Sequence, residues 1–149
     1  MIEYKTNSLT VPEIEHFISR HDANGFFGSR ELYYKNFTEH FLRLLKAEQV
    51  LAVRDNNKLI GFCSWAVVHR EDKQKINKVR WLLPEDISSG DILYIDVCVL
   101  EPQASIHKIK AYLRERYLGS IREVFWYNMG AGKVYRKHFK KEMVCQTVG

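Results

Sequence analysis

Apolar positions along the chain follow two periods, and the switches between them mark out its elements. Val11, Ile14, Phe17 and Ile18 share one face at helical spacing, and so do Tyr34, Phe37, Phe41, Leu44 and Leu45. The first helix carries a start signal. Thr10 can cap it, Pro12 suits its first turn, and Glu13 completes a capping box. Between the helices, His21 to Arg30 contains Asn24-Gly25 and Gly28, which predicts a loop. Gln49 to Arg54 and Leu59 to His69 are apolar runs joined by a polar turn, which predicts a β-hairpin. Ile2 to Lys5 predicts a short strand, and the charged stretch Arg70 to Lys78 an exposed segment. Asp91 to Val99 predicts a strand with Leu93, Ile95, Val97 and Val99 on one face and Tyr94, Asp96 and Cys98 on the other. A helix from about Ala104 to Tyr117 turns Ile106, Ile109, Leu113 and Tyr117 inward. Glu123 to Tyr127 predicts a strand, Lys133 to Phe139 a short helix, and Met143 to Thr147 a last strand.

The order β-α-α-β-β-β-α-β-α-β describes an α/β (α+β) domain with a mixed sheet. It resembles the Gcn5-related N-acetyltransferase fold, in which the fourth and fifth strands splay apart and the pantetheine arm of an acyl donor lies in the gap. A fold does not fix a function, so the site has to be argued separately.

Length and composition narrow the class. The 149 residues, 46% of them hydrophobic, make one domain spanning residues 1–149 with a sizeable core. No run of 18 apolar residues appears, so no membrane span is expected, and MIEYKTNSLT lacks the pattern of a signal peptide. The expected location is cytoplasmic. Cys63, Cys98 and Cys145 each lie in an apolar stretch and read as buried free thiols, not as a disulfide framework or metal site. The net charge of +5 is concentrated toward the C-terminal third, with Lys108, Lys110, Arg114, Arg116, Lys133, Arg136, Lys137, Lys140 and Lys141. Such a surface is a solvated face, or one that meets phosphates, an acidic carrier protein or nucleic acid. Nucleic acid is the weakest of these, because no nucleic-acid-binding motif accompanies the charge.

Four local matches carry a closer resemblance. Phe62-Cys63-Ser64-Trp65-Ala66, Ser89-Gly90-Asp91 followed by Tyr94-Ile95-Asp96, Tyr112-Leu113-Arg114-Glu115-Arg116-Tyr117, and Gly132-Lys133-Val134 are similar, in order and spacing, to segments of the toxin-activating lysine acyltransferases. The resemblance runs from about Tyr34 to Lys141. It implies transfer of a fatty acyl group from acyl carrier protein to a lysine of a protein acceptor, and it carries Asp96 over as one of two catalytic residues. A mid-strand carboxylate in an apolar run also needs a partner on physical grounds alone. The family's second catalytic residue is a histidine in the loop between the first two helices. Counting back from Phe37, Ser29 occupies that position, followed by Arg30 where the family also has arginine. His21, in the same loop, is the candidate to meet Asp96, with His69 in reserve.

The remaining candidates surround these. Ser64 can donate a hydrogen bond to the thioester or the pantetheine arm, whereas Trp65 and Cys63 read as core. Asn128, Gly130, Gly132 and Lys133 join a strand to a helix, where backbone N–H groups can hold an anion beside Arg136, although the spacing is not that of a nucleotide P-loop. Tyr135 is a candidate acid for the leaving thiolate, as in the last helix of ordinary acetyltransferases. Those enzymes carry a glycine-rich pyrophosphate loop after the fourth strand; here the connection is Leu100-Glu101-Pro102-Gln103-Ala104-Ser105, without glycine. No tightly bound cofactor is expected. The co-substrate is an acyl-carrier-protein thioester or acyl-coenzyme A, with the carrier favoured. The alternatives are a conventional acetyl-coenzyme-A-dependent enzyme and a catalytically silent binding protein on the same fold.

Overall fold

A computed structural model describes residues 1–21, 30–76, 82–127 and 134–135, with the backbone alone at 30–35, 127, 134 and 135. Its elements are β1 (Ile2–Lys5), α1 (Val11–His21), α2 (Arg30–Lys46), β2 (Val50–Asp55), β3 (Lys58–Val68), β4 (Ile92–Leu100), α3 (Ile106–Arg116), β5 (Glu123–Tyr127) and β6 (Val134–Tyr135), with a 3-10 turn at Arg70–Lys75. The strands form one sheet in the order β1-β2-β3-β4-β5-β6, antiparallel throughout except for the parallel β4–β5 pair.

Local chemistry accounts for the element ends. The Glu13 amide donates to Thr10 Oγ1 at 3.3 Å while Glu13 Oε1 accepts from the Thr10 amide at 3.2 Å, the reciprocal bonds of a capping box. Asn56 and Asn57 turn the β2–β3 hairpin with φ of 50° and 74°. A two-residue turn that matches strand twist needs both residues left-handed, and asparagine tolerates that region. Ser105 caps α3, its side chain accepting from the Lys108 amide.

The sheet is packed on both faces. On one side Ile14, Phe17 and Ile18 of α1 and Phe37, Phe41 and Leu44 of α2 lie against Val50, Ala52, Phe62, Ala66, Tyr94 and Val97. On the other, Ile109 and Leu113 of α3 lie against Leu51, Val53, Cys63, Trp65, Leu93 and Ile95. Of the helix stripes read from periodicity, Val11, Ile14, Phe17 and Ile18 of α1, Phe37, Phe41 and Leu44 of α2, and Ile109 and Leu113 of α3 are buried.

Two expectations are corrected. First, Val97 and Val99 do not share a face with Leu93 and Ile95. They pack with Tyr94 on the α1–α2 side, because the β3–β4 register moves from Trp65↔Ile95 to Ser64↔Val97 and leaves Asp96 as an extra residue. One inserted residue reverses the alternation beyond it. Second, Val134 and Tyr135 are not helical. They form β6, with Trp126↔Tyr135 and Tyr127↔Val134 in register. A β-branched and an aromatic residue suit such a pleated edge. The strand expected at Met143–Thr147 lies outside the described residues.

The bulge also lies where the sheet opens. The β4–β5 pairing runs from Ile92↔Glu123 to Ile95↔Trp126 and ends there, whereas β4 continues through Asp96 to Leu100.

Candidate active site

The extra residue of β4 is the centre of a buried polar group. Asp96 Oδ2 accepts from Ser64 Oγ at 2.9 Å and lies 2.7 Å from His40 Nε2. Ser64 Oγ in turn accepts from the Val97 amide at 3.1 Å. The serine thus bridges the bulge, taking up a strand N–H that an ordinary ladder would have paired, and passes its own proton to the carboxylate. The His40 and Asp96 side chains are each only 2% exposed, and Ser64 is fully buried. A carboxylate buried to that extent is costly unless hydrogen-bonded, and two donors converging on one oxygen offset the cost. His40 is oriented by packing: its ring meets Phe41 edge-on, with centroids 4.9 Å apart.

The site differs from its sequence-based expectation in three ways. His21 does not reach Asp96. It ends α1 with its ring against Phe17, and its Nε2 lies 3.4 Å from Glu101 Oε2. His40, which was not anticipated, occupies the place beside the aspartate. A signal for it existed: position 40 falls on the inward stripe between Phe37 and Leu44, where an unpartnered imidazole would be costly. Ser64 is not placed to hold a donor, because its single hydroxyl proton is committed to Asp96. His69, the reserve histidine, lies at the far end of β3, where its Nε2 meets Asp86 Oδ2 at 2.9 Å and Ser89 Oγ at 3.2 Å. The hydrogen bond to Asp86 raises the His69 pKa. Bonds from the Ser89 hydroxyl, the Ser88 amide and His69 hold the Asp86 carboxyl well below the usual range.

The other candidates are placed as follows. Trp65 is core, with Nε1 donating to Tyr117 Oη at 2.7 Å and the Arg116 guanidinium 5.4 Å over its ring. Arg116 also donates to the Glu48 carbonyl at 2.5 Å, so it is built into the fold as well as charged. Burial raises the Tyr117 pKa, opposed by the bond from Trp65. Cys63 is buried, but Cys98 is exposed, contrary to expectation. Tyr135 is placed by its backbone opposite Trp126. Asn128, Gly130, Gly132, Lys133 and Arg136 lie outside the described residues.

After β4, Glu101 fills the position where a pyrophosphate loop would stand. Its carboxylate, 13% exposed, lies 3.7 Å from the Arg20 guanidinium and within reach of His21. No described helix is long and apolar enough to cross a membrane. Among the described residues, no group of three or more metal-ligating side chains is present.

A mixed sheet that parts beside a β4 bulge, with helices on both faces, defines the class: a domain of the Gcn5-related fold. The loading GNATL domain of CurA from Lyngbya majuscula is similar to it in structure, with a TM-score of 0.56, 10% identity, and coverage of 86% of this chain and 65% of that one. So is a predicted acetyltransferase from Clostridium acetobutylicum solved with acetyl-CoA, with a TM-score of 0.52, 15% identity, and coverage of 89% and 84%. Identities that low speak for the fold alone. Residues 29–141, most of the chain, match the RTX toxin acyltransferase family, and the chain belongs to that family. The leukotoxin-activating lysine-acyltransferase of Mannheimia haemolytica serotype A1 is 30% identical over 65% of this chain. The chain spans 65% of that relative's length.

Proposed function

We propose that the protein transfers an acyl group from a thioester donor to a lysine side chain of a protein, with His40 and Asp96 as the proton-accepting pair. The observation that carries this reading is the 2.7 Å contact between them at the bulge where β4 leaves β5. The amine nitrogen attacks the thioester carbonyl carbon, the carbon–sulfur bond breaks, and the amide forms. The amine proton passes to the pair, with Asp96 fixing the imidazole's orientation and tautomer. The thiol leaves after taking a proton, for which Tyr135 is the proposed donor. Backbone N–H groups of β4 beyond Ile95, apart from the Val97 amide that Ser64 already holds, are the proposed partners for the developing oxyanion.

Two features support a carrier-protein donor over free coenzyme A. The Glu101 carboxylate would repel a pyrophosphate at the end of β4. The exposed face of α3 bears Lys108 and Arg114, which suits an acidic carrier. A thioester donor of either kind supports a cytoplasmic location for this reaction.

The test is intact-mass analysis of lysine-containing acceptor peptides after incubation with acyl-loaded carrier protein or with acetyl-coenzyme A. Acyl-sized mass gain with the carrier alone is expected. Gain only with acetyl-coenzyme A would replace the donor. Gain with neither donor, on the family's protein acceptors as well as on peptides, would favour a catalytically silent relative.

A further inference from the structure

Two cysteines face each other across the strands that build the site. Cys63 of β3 and Cys98 of β4 are in register in the antiparallel ladder. Directly opposed positions in such a ladder have Cα atoms roughly 4.5–5.5 Å apart, inside the range of about 4.4–6.8 Å that a disulfide spans. Both side chains point to the α3 side. Cys63 packs there with Trp65, and the bulge at Asp96 brings Cys98 and Leu100 into the same phase. Were Asp96 paired in a regular ladder, Cys98 would fall opposite Phe62 and on the other face from Cys63, so the bulge that frees the buried aspartate also sets the thiol pair. Neither is joined in a disulfide.

We propose that Cys63 and Cys98 are a redox modification site, closing to an intramolecular disulfide when the protein meets a peroxide. The asymmetry of the pair sets the roles. Cys98 is exposed and takes the first step, whereas buried Cys63 resolves it. A hydrogen bond from Cys63 lowers the Cys98 thiol pKa, with local burial working against it. The Cys98 thiolate attacks one peroxide oxygen, the O–O bond breaks, and sulfenic acid forms with release of hydroxide, which takes up the thiol's proton as water. The Cys63 sulfur then attacks the sulfenic sulfur, the S–S bond forms, and a second water leaves. In total two thiols are oxidised by two electrons and one peroxide is reduced. A thiol reductant reverses the change.

The bond would sit beside the site, since Cys63 precedes Ser64 and Cys98 follows Val97, the two residues whose hydrogen bond spans the bulge. Hydrogen peroxide added to the folded, reduced protein should lower its mass by about 2 Da, the two hydrogens lost in forming one disulfide. Digestion without reductant should then link the Cys63 and Cys98 peptides. The Cys145→Ser variant should behave identically, whereas Cys63→Ser should abolish the linkage and leave Cys98 oxidised by one or more oxygens. No loss of mass, or a linkage through Cys145, would overturn the proposal. A parallel circular-dichroism spectrum of each variant ensures that the folded state is what was oxidised.

Discussion

His40 Nε2 and Asp96 Oδ2 stand 2.7 Å apart although 56 residues separate them, one entering from helix α2 and the other from the bulge of β4. The contact depends on both elements being in phase. Position 40 is inward because Phe37, Phe41 and Leu44 define that face of α2, and Asp96 meets it because the register shift inserts it between Ile95 and Val97. The resemblance implies a histidine at the position where this chain has Ser29; the proposed base, His40, comes instead from within helix α2.

The first prediction separates the three histidines. Asp96→Asn and His40→Gln should each slow acyl transfer by roughly 10²–10⁴-fold, the usual weight of a positioned acid–base group. His21→Ala and His69→Ala should stay within a few-fold of the parent. Gln is the informative replacement at 40, because it can still donate to Asp96. His40→Ala would leave a buried carboxylate short of a donor, at a cost of about 3–5 kcal/mol. Transfer rates by intact mass, beside melting curves, distinguish a lost base from a lost fold. Full activity in His40→Gln would remove it from the proton path.

Ser64 makes a different prediction. Its hydroxyl joins the Val97 amide to Asp96, so Ser64→Ala leaves a buried N–H without its acceptor and costs about 1–3 kcal/mol. The carboxylate then loses one of the two donors that aim it. The turnover number should fall while KM for the acyl donor holds. A rise in KM with unchanged turnover would instead return Ser64 to the donor-binding role that its sequence motif suggested.

Much of this architecture is legible in the sequence where the signal is local. The capping box at Thr10 and Glu13, the hairpin at Asn56-Asn57 and the inward stripes of α1 and α3 all follow from residue type and spacing. The site is less legible because it rests on a single insertion. Strict alternation placed Asp96 with Tyr94 and Cys98, and no residue type announces a bulge. Once that insertion is known, Val97 changes face and Cys98 turns toward Cys63, while Asp96 stays on the Tyr94 side, toward α2. Asp96 itself could be singled out because a carboxylate in an apolar strand demands a partner. Which histidine supplies that partner is a tertiary question, and nearness in sequence to the family's loop pointed to His21, which Glu101 holds instead.

Gly90 gives a packing prediction. A Cβ there would collide with the Val68 carbonyl and the His69 amide, backbone atoms that cannot swing aside. The Ser-Gly-Asp motif is thus explained at its centre by the close approach of the β3 end to the β4 start, where Asp91 O also accepts from the Arg122 amide at 2.8 Å. Gly90→Ala should destabilise the protein by about 1–3 kcal/mol through forced backbone displacement, read as a lowered midpoint of urea unfolding. An unchanged midpoint would mean that this end of the hairpin is free to move.

The same end of the sheet should carry a pH signature. The hydrogen bond to Asp86 raises the His69 pKa, and the charges of Asp86, Glu71 and Asp72 add to it. A raised histidine pKa contributes stability that is complete below the unfolded value of about 6.5 and is lost as pH climbs through the folded value. For Asp86 the sign is opposite. Its lowered pKa contributes stability present above about 3.9, lost as pH falls through the folded value. The contact is therefore complete between about pH 4 and pH 6.5 and weakens on either side. Both groups face water, so the effect should appear in the local titration more than in global stability. Following the His69 imidazole protons by NMR should give a midpoint above that of a free histidine, and Asp86→Asn should bring it down. An unmoved midpoint in that variant would show that the neighbouring Glu71 and Asp72, not the hydrogen bond, hold the proton on His69.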